Sequence, residues 1–512
     1  MELNFKEFVT KSGDVLLYCG QPNIEKLEVL STGLGDIWHS SLHQGFKNIF
    51  PEIIYQTATF WYINDVEDVD QSVNWRINPH EFVIRKSVWD FYGGFELCYE
   101  SDVMKALDFG YNSLCYRGVI PLFIKNLFAS NDNNKVVIPL TDCFAFYFKN
   151  FKIGHAYYAL FRMSFWNPMV LKAFYKSKKN VTLKAGERLF LPRKIKEIVG
   201  NPQVSYIIPT MLRQEFTLQL LADLANQSYR VAQVIVVDAT PSEKRNNTLY
   251  DAANYPFEVQ FIWQESKGSC RARNEAIALC FGDYIVFGDD DIRIPSNFIE
   301  NHIRLLQTYD AVACNGLDIR ADNQFQDLND LKTKLQNIDN KRWRVGVTNS
   351  FSNANSCVRK DVVDLLKGND INYDGGYGED SDFGISIYKL GAAVLHNPFS
   401  ANLHLKPPIG GYRFWGNQAK LKGKKRKKQP WELDVPVKFI RPIPSPTILY
   451  QVLKHFNKSQ LLEYKFKYFF NSLARSSKLQ IPFKIVMMPY RLLQFKTSLG
   501  YAKRLMKLGK RT

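Results

Sequence analysis

Apolar runs closed by polar residues recur through the middle of the chain, and between them apolar residues return at helical spacing. Val204 to Ile208 is one run, closed by Pro209-Thr210; Gln233 to Val237 is a second, closed by Asp238. Phe257 to Trp263 reads as a third strand and Tyr284 to Phe287 as a fourth, while Glu215 to Gln227 and Cys270 to Cys280 read as helices. Strands separated by helices of about a dozen residues predict a parallel α/β sheet covered on both faces. Ligands of such sheets gather at the carboxyl ends of the strands. Thr210, Asp238 and the triple acid Asp289-Asp290-Asp291 are therefore expected in one crevice.

The flanking regions read differently. Within residues 1–150, Arg85-Lys86-x-Val88-x-Asp90 matches Arg359-Lys360-x-Val362-x-Asp364. Gly93-Gly94-Phe95 followed by Glu100-Ser101-Asp102 likewise matches Gly375-Gly376-Tyr377 followed by Glu379-Asp380-Ser381-Asp382. An internal duplication with a degenerate first copy is expected, in an accessory or acceptor-positioning role. Residues 151–202 read as a helical linker ending at the breaker Gly200-Asn201-Pro202. After a second domain over 203–415, residues 416–512 form a basic region. It holds the charge block LKGKKRKKQP from Leu421, three prolines that forbid a helix at 442–446, and two amphipathic stretches, Thr447 to Ala474 and Pro482 to Leu508.

Charge sharpens that division. The 512 residues carry a net +17, yet Lys420 to Thr512 holds 23 Lys and Arg against 3 acids, a net +20 that leaves −3 for the remainder. A near-neutral body with a cationic end points to an anionic surface as partner, membrane or nucleic acid. Eight scattered cysteines with no Cys-x-x-Cys pair suit reduced thiols in a cytosolic protein. The amino terminus lacks the pattern of a signal peptide, and no apolar run reaches the roughly 18 to 20 residues of a spanning helix.

Three adjacent carboxylates repel one another, and Mg²⁺ or Mn²⁺ with a phosphate-bearing ligand would make the arrangement favourable. A solvated acidic turn is the alternative. Gly268 of Lys267-Gly268-Ser269 allows close backbone approach to a ligand, and an Arg fork from the following helix, which carries Arg271 and Arg273, can contact diphosphate oxygens.

VSYIIPTMLRQEFTLQLLADLANQSY, QVIVVDAT, SKGSCRARNEAI, GDYIVFGDDD, NANSCVRKDVV and GGYGEDSDFGISIYKLG resemble, in order and approximate spacing, family 2 glycosyltransferases with a GT-A fold. The resemblance covers about Val204 to Gly411. It implies a Rossmann-like GT-A nucleotide-sugar domain that transfers a sugar from a nucleotide diphosphate, UDP most readily, to an acceptor hydroxyl, with inversion and with Mn²⁺ or Mg²⁺. Asp291 matches the last acid of the family's DxD element and would be a metal ligand, with Asp289 and Asp290 serving the donor ribose or the acids' surroundings. Thr210 and Asp238 match nucleoside-holding positions, and Arg273 the family's Ala-Arg-Asn. As alternatives, Thr210 could end a strand and Asp238 cap a helix.

Glu379-Asp380 resembles the family's Glu-Asp motif, and inversion needs a base within reach of the attacking hydroxyl. Asp380 is the first candidate and Glu379 the reserve, although both could also cap the helix Asp382 to Leu390. His404 falls where members of the fold place a further metal ligand, with His396 as rival. Asn353 and Asn355 open the acceptor half, and Trp415 is a candidate for stacking on a sugar. The sum is a glycosyltransferase on the cytoplasmic face of a membrane, held peripherally by its basic end. It would elongate a cell-surface polysaccharide or lipid-linked glycan, with no nucleic acid as partner. A non-catalytic glycan- or nucleic-acid-binding protein is the alternative.

Overall fold

A computed structural model describes residues 3–41, 60–66, 68–96, 98–129, 138–163, 166–180, 189–246, 248, 250, 255–412, 437, 439–474 and 476–512. Trp415 and the charge block from Leu421 lie outside these. The chain divides into two compact units, one of residues 1–194 with 344–349 and 388–393, the other of the remainder.

The first unit holds β1 (Lys6–Val9), β2 (Val15–Cys19), α1 (Ile24–Thr32), β3 (Ile37–His39), β4 (Gln71–Val73), β5 (Phe82–Arg85), α2 (Lys86–Tyr92), α3 (Asp102–Asn112) and β6 (Pro121–Ile124). Helices α4 (Leu140–Asn150), α5 (Ile153–Arg162) and α6 (Pro168–Asn180) follow, and the short strand Gly346–Val347 is β13 in chain order. The sheet order is β1-β2-β5-β3-β6-β4. β5 is antiparallel to both β2 and β3, and β3 is parallel to β6. Its core gathers Ile37, Phe82, Ile84, Val88 and Phe109. Ser101 caps α3 through the Met104 amide, and the Asp142 carboxylate takes the amides of Glu100 and Ser101, so the acid run of the first copy is engaged locally.

The second unit begins with β7 (Val204–Thr210), α7 (Gln214–Ala225), β8 (Gln233–Asp238), β9 (Glu258–Trp263), α8 (Ser269–Ile277), β10 (Tyr284–Gly288) and β11 (Ile292–Arg293). It continues through α9 (Phe298–Tyr309), β12 (Ala313–Arg320), α10 (Leu328–Gln336), β14 (Asn355–Arg359), α11 (Lys360–Leu366), α12 (Glu379–Lys389) and β15 (Val394–His404). The main sheet order is β11-β15-β12-β14-β10-β7-β8-β9. β10, β7, β8 and β9 are parallel, with α7 crossing between β7 and β8 and α8 between β9 and β10. The four strands expected to be parallel are so, and β14, beyond them, is antiparallel to β10 and to β12. Apolar periodicity reports which faces are buried and is silent on chain direction.

The C-terminal stretch expected as one helix from Thr447 to Ala474 is two, α13 (Pro446–His455) and α14 (Lys458–Ala474). Phe456 turns extended, and Asn457 and Gln460 cap each other reciprocally, each side chain taking the other's amide, which starts a new helix. The last helices are α15 (Ile481–Val486) and α16 (Met488–Leu508). Leu449 and Tyr450 of α13 share a core with Phe495, Ala502 and Leu505 of α16 and with Ile371 and Tyr373, so the apolar face of α13 is spent inside this unit. Among the described residues no helix is long and apolar enough to cross a membrane.

Candidate functional site

β10 delivers the triple acid, as its pattern predicts, but the three carboxylates have different surroundings. Asp290 points inward: it accepts from Thr210 Oγ1 at 2.7 Å and from Arg213 Nη1 at 2.8 Å. The same Arg213 nitrogen lies 2.8 Å from Asp291 Oδ2. Asp289 takes a 2.7 Å hydrogen bond from Arg273 Nη2. A buried guanidinium therefore offsets two of the three charges, which is what allows like charges to sit side by side under cover. Burial, with Asp291 beside it, still pushes Asp290 up to about 6 against the pull of Arg213.

The last strand closes the site from the other side. His404, at the end of β15, holds Nε2 3.3 Å from Asp291 Oδ1 and Nδ1 3.0 Å from Asp318 Oδ1. Burial disfavours the charged ring, but these two carboxylates outweigh it and raise His404 to about 10. Asp318, on β12, also accepts from Asn402 Nδ2 at 2.9 Å. Asp289, Asp291 and His404 each offer one ligand atom, all within 4.8 Å of one another. Two carboxylate oxygens and an imidazole nitrogen, with the ring oriented by a second carboxylate, fit a divalent ion such as Mn²⁺.

The opposite wall comes from the turn before α12. Asp380 Oδ1 accepts from Asn353 Nδ2 at 2.5 Å and from its amide at 3.3 Å. Burial first, then the neighbouring charges of Glu379 and Asp289, lift Asp380 to about 7, with Arg273 opposing. Glu379 is also raised, chiefly by burial. The turn is held from behind: Thr447 Oγ1 takes the Tyr377 amide at 3.1 Å, and a side chain at Gly376 would come within 2.6 Å of Thr447. Asp382, two residues on, accepts from His455 at 2.7 Å and Lys454 at 2.9 Å. Burial works against its charge, but these partners hold it at about 2.

These walls enclose one cavity of about 310 Å³. Arg273, Asp289, Asp290, Asp291, Glu379, Asp380, His404 and Asn353 all line it. Thr210, Asp238 and Gly268 do not. Thr210 stands behind Asp290, and Asp238 accepts from the Thr240 amide at 2.7 Å and from Tyr250 OH at 2.9 Å. The close approach expected at Gly268 is to a side chain of the protein: a Cβ there would lie 2.2 Å from Asp374 Oδ2, whose carboxylate takes the Cys270 amide. Asn355 is a buried strand residue bonded to Ser400 and Asn402, and His396 meets the Arg342 carbonyl. Arg213, Asp318 and Tyr412 had escaped the sequence reading. An acid inside the apolar strand β12 and a cation just past β7 were the available signals for the first two; Tyr412 had none.

Residues 205–366 match the model of Glycosyl transferase family 2, and the α/β unit around them carries the GT-A-like mixed sheet. The chain is 30% identical over 93 residues to the putative colanic acid biosynthesis glycosyl transferase WcaA of Escherichia coli, a stretch of 18% of this chain that spans 33% of that protein. An uncharacterized glycosyltransferase of Haemophilus influenzae is 24% identical over 170 residues, 33% of this chain and 67% of that one. Among solved structures, a mannosyltransferase of Pyrobaculum calidifontis in complex with GDP-Man and Mn²⁺ aligns over 65% of this chain and 93% of its own at 17% identity and a TM-score of 0.34. Residues 1–349 of Staphylococcus aureus TarS align over 59% and 82% at 13% identity and a TM-score of 0.37.

Proposed function

We propose, from the Glycosyl transferase family 2 domain at residues 205–366, that this protein moves a sugar from a nucleotide diphosphate to a hydroxyl of a glycan or lipid-linked glycan, with inversion. What carries the reading is the placement of Asp291 and Asp380 on one cavity, the acids of two sequence-distant motifs facing a common space. Asp289, Asp291 and His404 would hold Mn²⁺ or Mg²⁺, which when bound supplies positive charge to a departing diphosphate. Arg273, also on the cavity, orients Asp289 and offers its remaining N–H groups to phosphate oxygens.

Asp380 takes the proton of the acceptor hydroxyl as its oxygen forms the new bond to the anomeric carbon and the bond to the donor phosphate breaks. Asn353 fixes the carboxylate by two hydrogen bonds. Thr210 sets Asp290 and through it the turn; Asp238, at the end of the adjacent parallel strand, is the nucleoside contact. The donor is a UDP-sugar and the product a cell-surface polysaccharide, made with the basic C-terminal region against the cytoplasmic face of a membrane. Incubation with a panel of nucleotide sugars, with and without Mn²⁺, tests this: metal-dependent release of nucleotide from one donor is expected, and release from none rejects it.

The first unit we read as a degenerate copy of the acceptor half. Its strands β2-β5-β3-β6 have the same order and directions as β10-β14-β12-β15. One helix separates the first two strands in each set, α1 or α9, and a pair precedes the last, α2 and α3 or α11 and α12. The Arg-Lys junctions coincide: Arg85 and Arg359 have φ −62°, ψ 129° and φ −61°, ψ 136°. Where β10 is followed by three acids, β2 is followed by Gly20-Gln21-Pro22, which has no metal-binding carboxylate.

A further inference from the structure

Helix α16 buries Phe495, Ser498, Ala502 and Leu505 along one stripe, so its core-facing side is fully used. The segment leading into it is apolar and faces the other way. Leu479 is 92% exposed, Phe483 67% and Val486 75%, with Ile485, Tyr490 and Leu493 also exposed. Phe483 and Val486 stand three residues apart on α15 and share its outer face, with Leu479 in the turn before it and Tyr490 in the first turn of α16. Exposed singly, apolar residues need no explanation; a run of this density marks a contact surface.

The segment is braced, not frayed. Lys484 Nζ donates to Ser472 O at 3.1 Å and to Ser476 Oγ at 2.6 Å, and Arg491 donates to Ser472 Oγ. Both cations thus turn inward onto the end of α14 and leave the apolar side chains outermost. Lys496, Lys503, Arg504 and Lys507 are exposed farther along α16. From Tyr464 to Thr512 there are 12 Lys and Arg and no acid. An apolar projection flanked by exposed cations is complementary to an anionic bilayer, whose head groups meet the cations while the acyl boundary takes the apolar residues.

We propose that Leu479 to Leu493 is the membrane-docking element of this protein, inserting Phe483 and Val486 into the interface of an anionic bilayer. This deepens the membrane reading above and assigns it to α15 and the first turns of α16. Helix α13, whose apolar face is buried, takes no part.

Flotation of the full chain with phosphatidylcholine vesicles, with and without phosphatidylglycerol, at low and high salt, is the test. Binding to the anionic vesicles only, weakened by salt, is expected. Phe483→Ser with Val486→Ser should cut partitioning at least about tenfold, and Lys503→Glu with Lys507→Glu should remove the salt-sensitive part. A Phe483→Trp variant should blue-shift on anionic vesicles. All substituted side chains are exposed, so circular dichroism and the thermal midpoint should be unchanged. Binding without a blue shift, whether to vesicles or to an anionic polymer, overturns insertion. So does self-association in sedimentation that Phe483→Ser with Val486→Ser abolishes, which would give the surface to a second copy. Nucleotide release from donor sugars by the same variants reports on the transfer reading separately: docking can fail with release intact, and release can fail with docking intact.

Discussion

Arg213 Nη1 lies 2.8 Å from Asp290 Oδ1 and 2.8 Å from Asp291 Oδ2. One buried guanidinium thus links the acid bonded to Thr210 to the acid beside His404. Its Nε donates to the Ile409 carbonyl at 3.2 Å, which adds the backbone after β15 to the same linkage.

Replacing Arg213 with Ala should cost stability before it costs chemistry. Two carboxylates would be left buried without their counter-charge, and removing one partner of a buried pair costs about 3–5 kcal/mol. Thermal denaturation should show a large fall in midpoint that Lys at this position only partly restores, because a single ammonium cannot meet the acids and also the Ile409 carbonyl that Nε reaches. An unchanged midpoint would show that the acids are compensated otherwise.

Asp291→Ala and His404→Ala should both weaken Mn²⁺ binding measured by calorimetry, and Asp318→Asn should do so more mildly, since it orients the His404 ring from behind. Losses of about 10- to 100-fold are usual for such supporting partners. Chelator should abolish transfer by the native protein and Mn²⁺ should restore it.

Asp380→Asn should bind donor but lose turnover. In the native protein the rate should fall as pH drops through about 7, because burial and the charge of Glu379 raise the carboxyl there and only its deprotonated form accepts a proton. Asn353→Ala removes the shorter, side-chain one of the two hydrogen bonds that favour the carboxylate and keeps the backbone one, so the acid limb of the pH profile should move to higher pH, with KM for donor little changed. An unmoved limb would place the base elsewhere.

Acid stability should report on Asp382. Its folded carboxyl is held at about 2 by His455 and Lys454, below the unfolded value near 3.9. The resulting stabilisation is present above about pH 4 and is lost as pH falls toward 2. Asp382→Asn should therefore lower the midpoint at neutral pH, by an amount equivalent to about 2 kcal/mol, and flatten its fall in acid. Parallel curves for the two proteins would exclude the pair.

Much of the donor half was legible along the chain because its signals are local. β7, β8 and β10 are largely apolar, buried runs, and the acids that close two of them stand where a parallel sheet places strand ends. The likeness of Arg85-Lys86 to Arg359-Lys360 was legible for the same reason, as both pairs sit at a strand-to-helix junction of one geometry.

What the chain order could not supply was partnership between distant residues. Asp289 and Asp291 look alike in sequence; only the fold gives Asp289 to Arg273 and Asp291 to Arg213 and, through the return of β15, to His404. Gly268 advertises a close approach, but the group approached is Asp374, more than a hundred residues later. Composition made the C-terminal helices look alike as well. Burial of one face of α13 against α16 and exposure of Phe483 and Val486 are outcomes of packing. Periodicity fixes which side chains share a face, and the rest of the fold determines what that face meets.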